Sequence, residues 1–171
     1  GRQETTAVRR TVAELVTLLA ELEREPLDAA NRAHVFLVVD GWATVRADYD
    51  ELELTITDLA TRGLAYGIHI VVAALRWNDF RPSLRDLFGT RLELRLGEPG
   101  DSDVDRRTAA AVPLAPGRGI TTDRYHFLAA KPAADLVTAI AAAWTGPPAP
   151  PVRLLPDVVP YDEIAGISGD P

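Results

Sequence analysis

The residue best placed to do chemistry is Asp40. It closes the segment HVFLVVD, in which Val35 to Val39 form an unbroken and mostly β-branched apolar run. Such a run suits a strand buried on both faces of a parallel sheet. A carboxylate at the end of that strand lies at the crevice where ligands bind in open α/β sheets. There it can hold a magnesium ion through water, or it can simply cap the turn that follows. Gly41 comes next, so no second carboxylate stands beside it to polarise a water. The rest of the chain offers little for catalysis. Cys is absent, which excludes thiolate metal sites and a Cys nucleophile. His34, His69 and His126 are scattered, and Ser83, Ser102 and Ser168 sit in no nucleophile-elbow sequence. No G-x-x-x-x-G-K-[ST] occurs, and Lys131, the only lysine, follows no glycines, so these residues alone cannot cradle a phosphate. Asp48, Asp50, Glu51 and Glu53 read as a solvated first helical turn favoured by the helix dipole rather than as a catalytic pair. Trp42 and Trp77 each follow an apolar strand at the same crevice edge and Trp144 ends a helix; packing is the simpler role for all three.

The elements that must position these residues alternate along the chain. Thr5 to Glu25 carries Val8, Val12, Leu15, Val16, Leu19 and Leu22 at helical spacing, with Thr5 or Thr6 as cap and Pro26 as stop. After the strand that ends at Asp40, the helical period returns from Asp48 to Arg62, and Gly63 is read as its stop. Ile68 to Ala74 is a second all-apolar strand, and a short helix is expected around Ser83 to Phe88. Arg91 to Leu96 alternates strictly, so one of its faces sees polar surroundings. Asp101 to Ala111 reads as a helix, Gly117-Arg118-Gly119 as a tight turn, Tyr125 to Ala129 as a strand and Ala133 to Trp144 as an Ala-rich helix. Strands and helices in this order point to a layered α/β sheet. From Gly146 the sequence GPPAPPVRLLP is too proline-rich for a helix, and it leads into an apolar tail.

Composition narrows the function classes. With 47% apolar and 25% charged residues the chain is globular rather than disordered. A net charge of −7 lacks the basic footprint of a dedicated nucleic-acid binder. The apolar runs are all shorter than the ~20 residues that cross a bilayer, and no secretory leader pattern is present. A cytoplasmic setting is therefore expected. The chain starts at Gly1 and holds no Met, so it is expected to be part of a longer protein.

In order along the chain, HVFLVVDGW, GIHIVVAALRWNDFRPSLRDLFGTRLELRLGEPGDSDVDRR, PGRG and YHFLAA resemble the FtsK/SpoIIIE-type RecA-like ATPase domains, over roughly Arg9 to Ala130. Within that superfamily the VDG strand end and the D-S-x-[VI]-D-R-[RK]…P-G-R-G segments are most similar to the second ATPase domain of actinobacterial type VII secretion motors. The resemblance implies a RecA-like P-loop NTPase core over 1–145, a mostly parallel sheet flanked by helices, without the upstream Walker A segment. Residues 146–171 would then be a Pro-rich linker and apolar tail leading to a neighbouring domain. It implies ATP and magnesium as ligands, with Asp40 and Gly41 at the Walker B position and Leu75, Arg76 and Trp77 at the sensing strand end. Arginines supplied in trans complete such sites in the family; Arg9, Arg10, Arg76 and Arg118 are candidates, each also readable as a solubilising surface residue.

The same resemblance implies partners. These are other ATPase domains of the motor, further copies of the chain, and WXG100-type substrates or their C-terminal signals, in the cytoplasmic part of a membrane-associated complex. Val152, Leu154 and Leu155 are the expected linker contact. Two departures stand out: Gly41 replaces the Walker B Glu, and Leu75 replaces the strand-end Gln. Both remove polar groups that act at the γ-phosphate, so the resemblance implies a degenerate module with a regulatory or substrate-docking role and little or no hydrolysis. Joins at Glu25-Pro26 and Ala130-Lys131 are short for the family, which points to missing loops. Two other readings stay open. A DNA translocase is disfavoured by the −7 charge and the lost Gln. An interaction domain that binds no nucleotide is favoured by the missing Glu.

Overall fold

Helix α1 (Arg2–Arg24) is amphipathic, burying Val12, Leu15 and Leu19 and half-burying Val8, Leu18 and Leu22, while Val16 of the expected stripe is exposed. The computed structural model describes residues 2–25, 33–148 and 151–152. Thr5 and Thr6 lie inside α1 rather than capping it, and the expected stop at Pro26 falls outside the described residues. Strand β1 (Val35–Asp40) is followed by two helices where one was expected: α2 (Trp42–Asp48) starts directly after Gly41, and α3 (Asp50–Arg62) follows a one-residue break at Tyr49. Gly63 caps the end of α3 as expected, though not in left-handed geometry. It continues in right-handed geometry into a 3-10 turn, and the chain turns at Gly67, whose φ is +79°. A side chain at 63 would be crowded, since its Cβ would sit 3.0 Å from that of Ile68.

Strand β2 (Ile68–Ala73) pairs in parallel with β1, Val35 opposite Ile68 and Asp40 opposite Ala73. On one face of the pair Leu37 and Ile68 are buried, joined by half-buried Val35, Val39, Ile70 and Val72. They meet the apolar sides of α1 and α3 in the main core, which also holds Trp42, Phe80 and Leu84. Ion pairs tie α1 to α3 near both ends, Arg9 to Glu51 at 2.7 Å and Glu23 to Arg62 at 3.3 Å, so the two helices run side by side in the same direction. The opposite face departs from the expectation of a doubly buried strand. Phe36 and Val38 are 60% and 68% exposed, because among the described residues no helix lies over them.

Beyond β2 come a 3-10 turn (Trp77–Asp79) and α4 (Pro82–Arg85), then an antiparallel ladder of β3 (Leu92–Leu94), β4 (Arg118–Thr121) and β5 (His126–Leu128) in that order. The described residues therefore hold one parallel pair and one antiparallel ladder. The expected tight turn at Gly117-Arg118-Gly119 is the start of β4, entered through Gly117 at φ +74°. Gly119 is required by space, since a Cβ there would lie 2.5 Å from both the Glu93 carbonyl oxygen and the Phe127 ring. Helix α5 (Arg106–Ala111) is capped by Asp105, whose Oδ1 accepts from both the amide and the hydroxyl of Thr108 at 2.8 Å. Those two bonds hold the Asp105 carboxyl below its usual pKa. Helix α6 (Leu136–Ala143) leaves Leu136, Val137 and Ile140 exposed, and Trp144 after it donates its indole N–H to the Pro147 carbonyl. Among the described residues no helix is long and apolar enough to cross a membrane.

Candidate functional site

The parallel register places the C-terminal ends of β1 and β2 side by side, with Asp40 opposite Ala73 and Leu75 two residues further on. Asp40 is exposed at this edge, and no donor among the described residues holds its carboxylate. A free carboxylate on a rigid strand end is suited to a hydrated magnesium ion. The phosphate-cradling half of such a site is not formed by the described residues, so the fit is to the metal side alone. Among those residues there is also no cluster of three His, Cys, Asp or Glu side chains that could hold a metal on its own.

Gly41 follows at φ +81°, ψ 58°, in left-handed geometry, and α2 starts from it. The space around it is open, because a Cβ would meet nothing nearer than 3.7 Å. Backbone conformation rather than crowding is what favours glycine here, since the left-handed region costs an L-residue about 1–2 kcal/mol.

On the β2 side, Leu75 is 84% exposed and holds no polar group toward the edge. The Arg76 amide donates to Asp79 Oδ2 at 3.1 Å, which pins the 3-10 turn. Trp77 is half-buried and donates its indole N–H to Glu93 Oε2 at 2.6 Å. Glu93 itself is buried in β3 and satisfied by three donors, the others being the Ser102 hydroxyl at 2.8 Å and the Asp103 amide at 3.1 Å. Sequence reasoning did not single out Glu93. Its signal was the alternation of Arg91 to Leu96, whose charged side faces inward at Glu93 while Leu92 and Leu94 face out.

Beside Asp40's edge a second polar cluster forms where α2 and α3 meet the turn after β2. Glu53, expected in a solvated first turn, is buried there. Its Oε2 lies 3.1 Å from Arg81 Nε and 3.6 Å from Arg46 Nε, while Oε1 has no donor among the described residues. Arg46 also donates to the Asp79 carbonyl at 2.7 Å, joining α2 to the Trp77 turn. Together with Ala43, Ala47 and Asp50 these residues line a cavity of about 300 Å³. Neither arginine was foreseen: Arg46 lies in a helix that was not expected, and Arg81 reaches Glu53 from an exposed position only through the tertiary fold.

The arginines proposed from sequence are dispersed. Arg9 is held by Glu51 and lies 5.7 Å from the centre of the Tyr49 ring. That hydrogen bond draws the Glu51 carboxyl below its usual 4.5. Arg10 pairs with Glu14 at 2.7 Å one turn along α1. Arg118 is in β4, in the other sheet from Asp40. Val152 is partly exposed, and Leu154 and Leu155 lie outside the described residues.

A profile of the FtsK/SpoIIIE family matches residues 1–135. The chain belongs to the FtsK/SpoIIIE family. Its fold is accordingly that of P-loop NTPases, a class that generally binds nucleotide with magnesium. The chain is 47% identical over 197 aligned residues to the ESX secretion system protein EccC of Thermomonospora curvata, an alignment covering 95% of the chain and 15% of that relative. It is 46% identical over 143 residues to the ESX-4 secretion system protein EccC4 of Mycobacterium tuberculosis, covering 83% of the chain and 12% of the relative. Among solved structures, Thermomonospora curvata EccC (ATPases 2 and 3) in complex with a signal sequence peptide superposes with a TM-score of 0.84 at 45% identity, over 95% of this chain and 36% of that one. The FtsK/SpoIIIE chain described here thus spans a small part of the relatives it matches. Those relatives are EccC components of type VII secretion systems.

Proposed function

We propose that this chain is the magnesium-side half of an ATPase module in a type VII secretion motor, corresponding to a second ATPase domain, which binds nucleotide and hydrolyses little or none. The observation that carries the reading is the edge formed by Asp40 and Gly41. The metal-holding carboxylate is free, while the next residue has no side chain and a backbone geometry that disfavours one. The exposed, apolar Leu75 at the neighbouring strand end supports it, because it offers nothing to a γ-phosphate. The relation to EccC proteins, one of which was solved with a signal sequence peptide, supports a regulatory or substrate-docking role toward WXG100-type substrates. In that setting the module works beside other ATPase domains and further copies of itself, on the cytoplasmic side of a membrane-associated complex. The segment from Gly146 onward is then a linker to the next domain, with Val152, Leu154 and Leu155 as its apolar contact. A DNA-translocating role fits the −7 charge poorly.

The test is thermal stability of the full-length protein with and without MgATP, in wild type and in Asp40→Asn. A ligand at 100 times its Kd that binds only the folded state adds about 2.7 kcal/mol. The expected result is a magnesium-dependent rise in wild type that Asp40→Asn abolishes, with turnover near background in both. No rise in either protein would overturn the nucleotide reading and leave an interaction domain that keeps the ATPase fold for its contacts.

A further inference from the structure

We infer that His34 and His69 form a two-imidazole site for a divalent transition-metal ion, at the end of the parallel pair away from Asp40. The two histidines are 35 positions apart in sequence, and the fold brings His34 Nδ1 to 2.8 Å from His69 Nε2. Their positions are set by the backbone. The register puts Phe36 opposite His69, and the Val35 amide donates to the Gly67 carbonyl at 2.9 Å, tying the chain just before β1 to the start of β2.

The rings are arranged for a shared ligand. The Phe36 ring stacks on that of His69, with centroids 4.6 Å apart and planes 15° from parallel, which steadies the half-buried His69. The exposed His34 ring is tilted 32° to His69 with centroids 5.0 Å apart, and the broad χ2 torsion of histidine lets it turn. With metal–nitrogen bonds of about 2.0 Å, neighbouring ligands of a tetragonal ion stand about 2.8 Å apart and those of a tetrahedral ion about 3.3 Å. The pair already holds the first spacing. Copper(II) or nickel(II) therefore fits it with less rearrangement than zinc(II) does.

Proton bookkeeping is simple. In the metal-free pair one facing nitrogen donates its hydrogen to the lone pair of the other. On metal binding the donor ring carries that hydrogen on its other nitrogen, so both facing nitrogens offer lone pairs and the pair gains or loses no proton overall. Among the described residues no third His, Cys, Asp or Glu joins them, so water fills the remaining positions. Magnesium, which takes oxygen ligands, is excluded by the donor set. The six residues of β1 separate this site from Asp40 by about 20 Å, so the inference does not depend on nucleotide binding.

The experiment is electron paramagnetic resonance of the full-length protein with one equivalent of copper(II), without nucleotide and in mildly alkaline buffer. Wild type is compared with His34→Ala, His69→Ala and His126→Ala, the last being exposed in the other sheet. The expected result is a signal split by two imidazole nitrogens in wild type and His126→Ala, and its loss from both other variants. A splitting that survives either His34→Ala or His69→Ala would overturn the site, leaving a hydrogen-bonded pair and copper held elsewhere. His34→Gln keeps a hydrogen-bonding group beside His69 without an imidazole, so it should fold as wild type and still lose the signal; a retained signal would overturn the site as well. A second readout needs no variant. A ligand bridging β1 and β2 binds only the folded pairing, so copper should raise the wild-type melting temperature, and no rise would overturn the inference whatever the outcome of the MgATP stability test.

Discussion

The two faces of the β1–β2 pair carry similar residues and meet opposite fates. On one face Leu37 and Ile68 close against α1 and α3; on the other Phe36, Val38 and Val71 face solvent. Strand composition therefore announces that both faces are meant to be covered, but not that the covering elements are close by in sequence. The covered face is built from contiguous chain, α1 before β1 and α3 between β1 and β2. Among the described residues nothing covers its counterpart.

Large-to-small changes across the two faces are the strongest way to break this contrast. Leu59, fully buried in α3, should cost about 2–5 kcal/mol when changed to Ala. Phe36→Ala should cost less than about 0.5 kcal/mol in the 171-residue chain. Urea titration reads both, and a Phe36 cost approaching that of Leu59 would mean that the open face is not open. The two buried carboxylates extend the contrast to polar groups. Glu93 has three donors and Glu53 leaves one oxygen unserved. Glu93→Ala should therefore cost about 3 kcal/mol, accompanied by a change in Trp77 fluorescence as its indole loses its acceptor. Glu53→Gln should cost about 1 kcal/mol, and a reversed order would show that the Glu53 pairings are the stronger.

A smaller effect is expected at Gly41, where Ala has room but the wrong backbone. Roughly 1–2 kcal/mol should be lost, read from the same denaturation curves, and a neutral result would mean that the start of α2 relaxes easily. The smallest effect concerns Glu51. Its folded pKa is depressed by Arg9, so the stabilisation it gives is present above its unfolded value near 4.5 and is lost as pH falls through the folded value. Glu51→Gln should lower stability slightly at neutral pH and flatten the acid side of the stability–pH profile. An unchanged slope would assign the Arg9 contact no role in holding α1 on α3.

The parallel pair was legible because two unbroken apolar runs with a helical segment between them suit a parallel sheet, and Asp40 sits at the end of the first of them. Helix boundaries were less so. The break at Tyr49 leaves no mark in the periodicity, α2 was not expected, and Glu53 was placed in the solvated first turn of a helix read from Asp48. Glu93 was missed for a related reason. An alternating strand shows two faces, and the habit of burying its leucines fails where Trp77, Ser102 and a backbone amide converge on the acid instead. At Gly119 the sequence suggested a turn, whereas the backbone of β3 and the Phe127 ring leave no room for a side chain. Such close approaches belong to tertiary structure and have no local signature.

The left-handed backbone at Gly41 has a historical consequence. A glutamate arriving at this position by one codon change would inherit a conformation suited to glycine, and α2 would have to be restarted before the new carboxylate could aim at a water. On the proposed reading, regaining hydrolysis would then take at least two coordinated steps, the first of which lowers stability. Under the low-turnover reading proposed above, the geometry would act as a ratchet, entrenching a silent site by the shape of the chain as well as by the missing carboxylate.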